Sequence, residues 1–583
     1  MRGRKRNFVA CVHCRQMKLA CDGLRKFPAA CSRCTKAGRL CSVDPSFKRV
    51  KKREQLEAAQ RELQDIKRSL KGHEHGQEPS DNSPSTRVTP YDSFSSLRSE
   101  IHISDSVFTS KTIGGAEISA DLIRDLSMDF SENYHRQCPF LPPFPTFLEY
   151  SEACPLLLHT ILVISLGGKP EHVELFSKVV DSVRTMSYDS MKPEHLSLQS
   201  MQALLLLCYW PLPYSKRIED PLHSFIAIAT HMGYRLGLHR PSHFAMDFEN
   251  KTLLDGNIAI LGRITWAVCF IMNVSVTSQL GLPTTIRLDR GLLEILAAKP
   301  DWLPDTLYYQ LHISRQAFNI ASTLEDCGSL SNDGLSSDQL PVIRVFDTEL
   351  KALEYRFSTS WSLSDHLTFL GCRMMLYTLA LTAISESLEN DDRNHVLGVE
   401  SPSHWVTQGY LTAIATIRTA ASMRDKLLTS PTRLHKLLMN AVCYLLLLKC
   451  SRYQDLVVST TLSSGISQGW NILRGLSITP GDFTSRACLI LERLARYSEM
   501  LQPQDRTNGL LVLKSRMGAN IAFSTALRTR EFSRKIQHYQ ASSESDTIEQ
   551  HADNLGIEDQ SFSMESSWED LFLDMEMWTR SVE

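Results

Sequence analysis

The sequence predicts a mainly α-helical protein in which a large all-α body lies between a small cysteine-rich head with a short coiled coil and a disordered acidic tail. Three observations predict this fold class. Six cysteines repeat one spacing near the N-terminus, the apolar runs have helical length and end at Pro or Gly, and few segments alternate apolar with polar residues as strands do. A chain of 583 residues is also too long for one core, so several domains are expected.

Composition changes along the chain divide it into seven segments. We predict a basic arm at 1–10, the cysteine head at 11–41, a basic linker at 42–55, a short coiled coil at 56–70, a disordered linker at 71–115, an all-helical body at 116–540 and an acidic tail at 541–583. Residues 1–53 hold sixteen Lys and Arg but two acids, although the whole chain has a net charge of −2. A strongly basic head on an acidic remainder indicates a polyanionic partner.

The six cysteines of the head form two copies of the spacing C-x2-C-x6-C: Cys11, Cys14, Cys21, Cys31, Cys34 and Cys41. Thiolates at this spacing hold zinc, and each half supplies three of the four ligands that a tetrahedral ion requires. Two zinc ions become four-coordinate if two sulfurs bridge, and the symmetry of the halves suggests Cys11 and Cys31. The alternatives are a disulfide knot or a C-x-x-C redox pair. Residues 1–10 lack the apolar core of a secretory signal, and redox motifs do not occur as a duplicated set of six.

The stretch Cys11-Val-His-Cys14-Arg15-Gln-Met-Lys18-Leu-Ala-Cys21, followed by Cys31-Ser-Arg-Cys34 and Cys41, resembles the fungal binuclear zinc cluster family. This resemblance implies a DNA-binding domain whose basic helix enters the major groove, with Lys18 reading CGG triplets in double-stranded DNA. Phosphate contacts are expected from eight of the other basic residues of this region: Arg15, Arg33, Lys36, Lys48, Arg49, Lys51, Lys52 and Arg53. Met17 and Ala20 stand where the family usually has further basic residues, so contacts from those positions are lost.

Apolar residues after the basic linker follow the three–four spacing of a heptad seam: Leu56, Ala59, Leu63, Ile66 and Leu70. This seam predicts a parallel two-stranded coiled coil and hence a homodimer with two zinc heads. A lone helix, or a helix packed on the body, is the alternative because the seam spans only about two heptads.

Two stretches of the body resemble the middle homology region of the same family. One ends in Gly237-Leu238-His239-Arg240, and the other runs from Arg263 to Pro283. The apolar spacing before Gly237 predicts a helix that this glycine caps. We find no Gly-rich phosphate loop, His-Glu-x-x-His or Gly-x-Ser-x-Gly, and His239 beside Arg240 fits a helix end better than an acid–base pair. No enzyme is therefore expected.

The tail holds twelve acids and one basic residue, with large apolar residues interleaved near its end: Trp568, Leu571, Phe572, Met575 and Trp578. Such segments cannot build a core, and their exposed aromatic residues suit the groove of a coactivator or of the transcription machinery. A helix docked on the body is the alternative.

The nine remaining cysteines are scattered among apolar runs and indicate buried thiols of a reducing compartment. Apolar runs of ten to twelve residues are shorter than the ~20 that span a membrane, so no membrane partner is expected. The sequence predicts a nuclear transcription factor of RNA polymerase II genes that activates a metabolic pathway or a secondary-metabolite cluster. The alternative is a repressor or adaptor with weak DNA binding of its own.

Overall fold

The structure is a computed structural model of the chain. It describes residues 10–12, 14, 19–26, 29–36, 41–42, 108–143, 146–214, 220–240, 256–326, 340–390, 402–478, 482–507, 510–511 and 519–531. The chain forms two compact units, residues 1–87 and residues 88–583. The predicted coiled coil at 56–70 and the acidic tail at 541–583 lie outside the described residues.

The first unit contains short helices that carry or adjoin cysteines. Helix α1 is Gly23–Lys26 and α2 is Ser32–Lys36. Each has four or five residues, fewer than the roughly 12 to 15 that an isolated helix needs in water. Their stability must therefore come from the cysteine cluster around which they fold.

The second unit is helical, as predicted, and most of its described residues lie in α-helices. They are α3 (Ala120–Asn133), α4 (Thr146–Glu152), α5 (Pro155–Gly167), α6 (Val173–Asp189), α7 (Leu198–Tyr209), α8 (Leu222–Arg235), α9 (Gly256–Leu280), α10 (Arg290–Ala298), α11 (Asp305–Asp326), α12 (Leu340–Phe357), α13 (Leu363–Asn390), α14 (Pro402–Ser422), α15 (Arg424–Leu427), α16 (Thr432–Lys449), α17 (Ser459–Gly475), α18 (Phe483–Met500) and α19 (520–531).

Several helix starts follow from local chemistry. The side chains of Ser119, Ser197, Asp289 and Asp482 accept hydrogen bonds from backbone N–H groups of the first turns of α3, α7, α10 and α18. Such caps satisfy donors that a helix leaves free at its N-terminus. The sequence thus sets where these helices begin.

A β-hairpin precedes the helices and corrects the predicted boundary between linker and body. Strands β1 (Lys111–Ile113) and β2 (Ala116–Ile118) pair antiparallel. Gly114 and Gly115 both have positive φ, at 59° and 78°, as a two-residue hairpin turn requires. The boundary placed between 115 and 116 cuts this hairpin, so the body includes residues from Phe108 onward. Strand β1 was not predicted because it is only three residues long and the residues before it have the polar composition of the linker.

The described body has two large hydrophobic clusters. One extends from Phe108 to Leu311 and the other from Ile313 to Ile521. Helices α5 and α7 are apolar around most of their circumference and are almost wholly buried in the first cluster, which is typical of core helices. The most extensive packing in the second cluster is between α13 and α14.

Helix α9 contradicts the expectation that no apolar segment reaches the length of a membrane span. Residues Asn257–Leu280 are long and apolar enough by length and composition. The most apolar part of this helix is 67% buried within the body, as in the core helix of a globular domain. Its single charged residue, Arg263, is a good helix former, and its guanidinium lies over the Trp302 ring, 5.6 Å from the ring centroid.

The predicted helix before Gly237 is confirmed. Helix α8 buries Phe225, Ala229 and Met232 on one face. Gly237 follows with φ 74°, and the backbone N–H of Leu238 donates to the Gly233 carbonyl at 3.0 Å. This left-handed glycine cap therefore ends α8 as the sequence predicts.

Candidate metal centre

The structure brings all six cysteines of the head together. Their Sγ atoms form two sets in which all atoms lie within 4.8 Å of one another: Cys11, Cys14, Cys21 and Cys31 in one set, and Cys11, Cys31, Cys34 and Cys41 in the other. Cys11 and Cys31 belong to both. Four cysteines are buried and two are half-buried, so the sulfurs form the interior of the head.

The distances between sulfurs suit tetrahedral zinc. The Sγ atoms of Cys11 and Cys34, and those of Cys14 and Cys31, are 3.8 Å apart, and those of Cys11 and Cys31 are 4.0 Å apart. Zn–S bonds of about 2.3 Å at tetrahedral angles separate two sulfurs by roughly 3.8 Å. The thiol set therefore suits two ions that share two ligands.

Backbone N–H groups orient the sulfurs. The N–H of Cys14 donates to Sγ of Cys11 at 3.5 Å, and the N–H of Cys34 donates to Sγ of Cys31 at 3.4 Å. Hydrogen bonds of this kind favour the thiolate, and the Cys34 N–H is the main cause that lowers the pKa of Cys31 to about 6. The C-x-x-C spacing thus places a donor beside the first cysteine of each pair, which binds metal as its thiolate.

Asp22 joins the two halves of the head through a contact that was not predicted from the sequence. Its carboxylate accepts hydrogen bonds from the Ser32 hydroxyl and, at 3.0 Å, from the Ser32 backbone N–H. These bonds, that from the hydroxyl first, lower the pKa of Asp22. Lys26 Nζ donates to the same Ser32 hydroxyl at 2.7 Å. An acid directly after Cys21 in an otherwise basic head was the available signal.

Among the predicted DNA-contacting residues, the structure describes Arg33 and Lys36. Both are exposed on α2. Arg25 and Lys26 are also exposed, on α1, although they are not among the predicted DNA contacts. The remaining predicted contacts lie outside the described residues: Arg15, Lys18, Lys48, Arg49, Lys51, Lys52 and Arg53.

In the body, the stretches resembling the middle homology region meet through a buried polar network. Asn273, fully buried, donates to the hydroxyls of Thr230 at 2.9 Å and Thr285 at 2.6 Å, and accepts from the Thr285 backbone N–H at 3.1 Å. Trp266 Nε1 donates to the Asp289 carboxylate at 2.7 Å. Asn273 therefore ties α8 and α9 to the following loop.

His239 packs with the aromatic residues of this region. Its ring centroid lies 5.2 Å from that of Tyr234 in an edge-to-face arrangement. Burial is the main cause that lowers the pKa of His239. This environment agrees with the packing role predicted for the residue at the end of α8.

The sequence matches two protein families. Residues 9–50 match the fungal Zn(2)-Cys(6) binuclear cluster domain, and residues 128–308 match the fungal specific transcription factor domain. The chain therefore carries both domains, as the resemblance implied, and the cluster domain is one that binds two zinc ions. Both are regulatory domains and not enzymes.

Individual relatives are fungal regulators. The chain is 23% identical over 61% of its length to the regulatory protein LEU3 of Saccharomyces cerevisiae, covering 48% of that protein. It is 23% identical over 50% of its length to the transcriptional regulatory protein SEF1 of Candida albicans, covering 38% of that protein. The chain thus matches half or less of the length of these relatives. It is homologous to fungal Zn2Cys6 transcription factors.

Proposed function

We propose that this protein is a nuclear transcription factor that binds DNA through its zinc head and activates RNA polymerase II genes of a metabolic pathway or secondary-metabolite cluster. One observation carries the proposal: six sulfurs lie in two four-sulfur sets that share Cys11 and Cys31, in a chain that also carries the fungal specific transcription factor domain. We assign all six cysteines as ligands and these two as the bridges.

The DNA target in this proposal is a duplex with CGG triplets. Lys18 would read guanine O6 and N7, because Lys donates to these acceptors in the major groove. Arg15, Arg33, Lys36 and the residues from Lys48 to Arg53 would bind phosphates. The exposure of Arg33 and Lys36 supports this assignment, since both side chains are open to a ligand.

Binding to CGG and scrambled duplexes at two salt concentrations tests this assignment on the full chain. Lys18→Ala should cost roughly 1 to 3 kcal/mol on CGG and little on the scrambled duplex. Replacing Lys51 and Lys52 with Ala is the matched control, which should weaken both duplexes and lower the salt slope by about one per contact. Equal losses on both duplexes for Lys18→Ala would show that this lysine is only a phosphate contact.

A homodimer through the seam of Leu56, Ala59, Leu63, Ile66 and Leu70 completes the proposed DNA-binding unit. Leu63→Glu together with Ile66→Glu would bury charge in the seam, which is costly. Sedimentation of the full chain should therefore show a monomer for this double variant and a dimer for the wild type. A wild-type chain that sediments as a monomer with and without DNA contradicts the seam.

The acidic tail is the proposed activation segment, with Trp568, Leu571, Phe572, Met575 and Trp578 as contacts to a coactivator. Fusion of residues 541–583 to an unrelated DNA-binding domain should activate a reporter. Replacing Trp568, Leu571 and Phe572 with Ala in the same fusion should remove most of the reporter output, although the negative charge of the segment is unchanged. An inactive wild-type fusion would favour the alternative, a helix docked on the body.

A further inference from the structure

The outer face of α12 carries exposed apolar side chains. Val345 is 56% exposed, and Tyr355, a large aromatic residue, is 92% exposed. Ala352 is also exposed and lies one turn before Tyr355. Because these positions are spaced by seven and three residues, they share one face of the helix. The opposite face of α12, with Ile343 and Leu350, is buried in the second hydrophobic cluster. The outer face is therefore an apolar stripe of the kind that packs on another helix.

Two opposite charges lie along one edge of this face. Glu349 and Arg356 are both exposed and are seven residues apart, which is two helical turns or about 10.5 Å. This separation exceeds the three or four residues at which side chains of one helix pair. On the other edge, Lys351 Nζ pairs with the Asp347 carboxylate of the same helix at 2.7 Å. The first edge thus offers an acid and a base at a fixed separation.

The arrangement of these residues is self-complementary. Two copies of α12 that pack antiparallel about a two-fold axis bring each residue opposite a second one, and that second residue opposite the first. The acid and base, Glu349 and Arg356, have their midpoint between positions 352 and 353. The small and large residues, Ala352 and Tyr355, have their midpoint between positions 353 and 354. One axis near position 353 therefore satisfies both pairs.

This coincidence favours a second copy of the chain as the partner. An unrelated partner would need a matching acid, base, large residue and small residue of its own, whereas α12 supplies all four. One helix face is nevertheless small, because stable interfaces bury about 1,200 to 2,000 Å² in total. A contact of this size forms between copies that a stronger interaction already holds together.

We propose that the outer face of α12 is a contact between the bodies of two copies of the chain. The two helices are antiparallel, with Tyr355 packed on Ala352 and Glu349 paired with Arg356 of the other copy. The proposal rests on the homodimer through the seam at 56–70, which would hold two bodies in one assembly. Such a tether raises the effective concentration to the order of mM, so a weak contact is populated. The two bodies then act as one unit.

Photo-cross-linking of the zinc-loaded full chain tests the contact, with p-benzoylphenylalanine in place of Tyr355. The probe is aromatic and the position is exposed, so the variant should fold. A covalent dimer should appear on a denaturing gel, and mass spectrometry should place the cross-link on the peptide of the other copy that contains Ala352. The matched control carries the probe in place of Leu411, which is 53% exposed on α14, and should give at most about a tenth of this dimer.

A charge exchange tests the pairing of the two helices in the same assay. Glu349→Arg would bring two bases together and Arg356→Glu two acids, so each change alone should lower the yield of cross-linked dimer at least about threefold. The double variant restores the pair with its charges exchanged and should recover the yield. Since these residues are two turns apart within one helix, recovery reports a contact between copies.

Sedimentation of the wild-type chain separates failure of this contact from failure of the seam. A chain that sediments as a dimer, but cross-links no better from position 355 than from position 411, overturns the α12 contact and leaves the seam standing. A double charge variant that stays as weak as the single variants overturns the antiparallel pairing. A wild-type chain that sediments as a monomer refutes the seam and, with it, the tethered contact.

Discussion

Gly233 allows α8 to approach α9 more closely than any other residue would. A Cβ atom at this position would lie 2.4 Å from Cζ3 and 2.6 Å from Cε3 of Trp266, whereas non-bonded carbons prefer about 3.5 to 4.0 Å. Trp266 is 1% exposed, so its ring is packed inside the core and does not face solvent. Gly233→Ala must therefore displace a large side chain in the core.

The cost follows from three terms. Overpacking of a core costs about 1 to 3 kcal/mol. Displacement of the indole also weakens its bond to the Asp289 carboxylate, and bonds to charged groups contribute about 1.5 to 3 kcal/mol. Alanine gains about 1 kcal/mol over glycine within a helix. We expect Gly233→Ala to lower the free energy of unfolding by about 2 to 4 kcal/mol.

Urea unfolding of the full chain, followed by far-UV circular dichroism, measures this loss. The matched control is Gly167→Ala on α5, where the new Cβ would lie 3.4 Å and 3.8 Å from Phe176 ring atoms, near ordinary contact. That variant should be stabilised by about 0.4 to 1 kcal/mol, because alanine restricts the unfolded chain. If Gly233→Ala and Gly167→Ala have the same stability, the close packing of α8 on α9 is wrong.

Three further predictions concern the buried polar network, a histidine and the metal. Asn273→Ala leaves the Thr285 backbone N–H without its acceptor and should cost about 2 to 4 kcal/mol in the same unfolding assay, whereas Asn133→Ala on the surface should cost less than about 0.5 kcal/mol. Burial lowers the pKa of His312 to about 4, so the folded state binds fewer protons than the unfolded state, and stability present above pH ~6.5 is lost as the pH falls toward 4. After allowance for its partial exposure, His312→Phe should reduce the stability difference between pH 7 and pH 5 by about 1 kcal/mol, and an unchanged difference would contradict this assignment. Zinc chelation should abolish DNA binding but leave most of the helical circular dichroism signal, since metal binding drives folding of the head alone. Native mass spectrometry verifies that the metal has been lost. DNA binding that survives this loss would contradict the assignment of the six cysteines as zinc ligands.

The sequence by itself determined the features whose physical cause lies within a few residues. The duplicated cysteine spacing predicted two metal sets, because a C-x2-C pair and a third cysteine seven residues further on can return to one point regardless of the rest of the chain. The helix before Gly237 and its glycine cap followed from apolar spacing and from the freedom of glycine at positive φ. The family motifs of head and body were equally local, and both matched regions contain them.

Only the tertiary structure decided which distant groups meet. Gly233 and Trp266 are in contact although 33 residues separate them along the chain, and Asn273 completes its bonds on two other segments. The physical reason is that apolar spacing predicts which face of a helix is buried but not its partner. A buried polar group depends on that partner, because its energy is set by whichever donor or acceptor the packing of remote helices brings within hydrogen-bond distance.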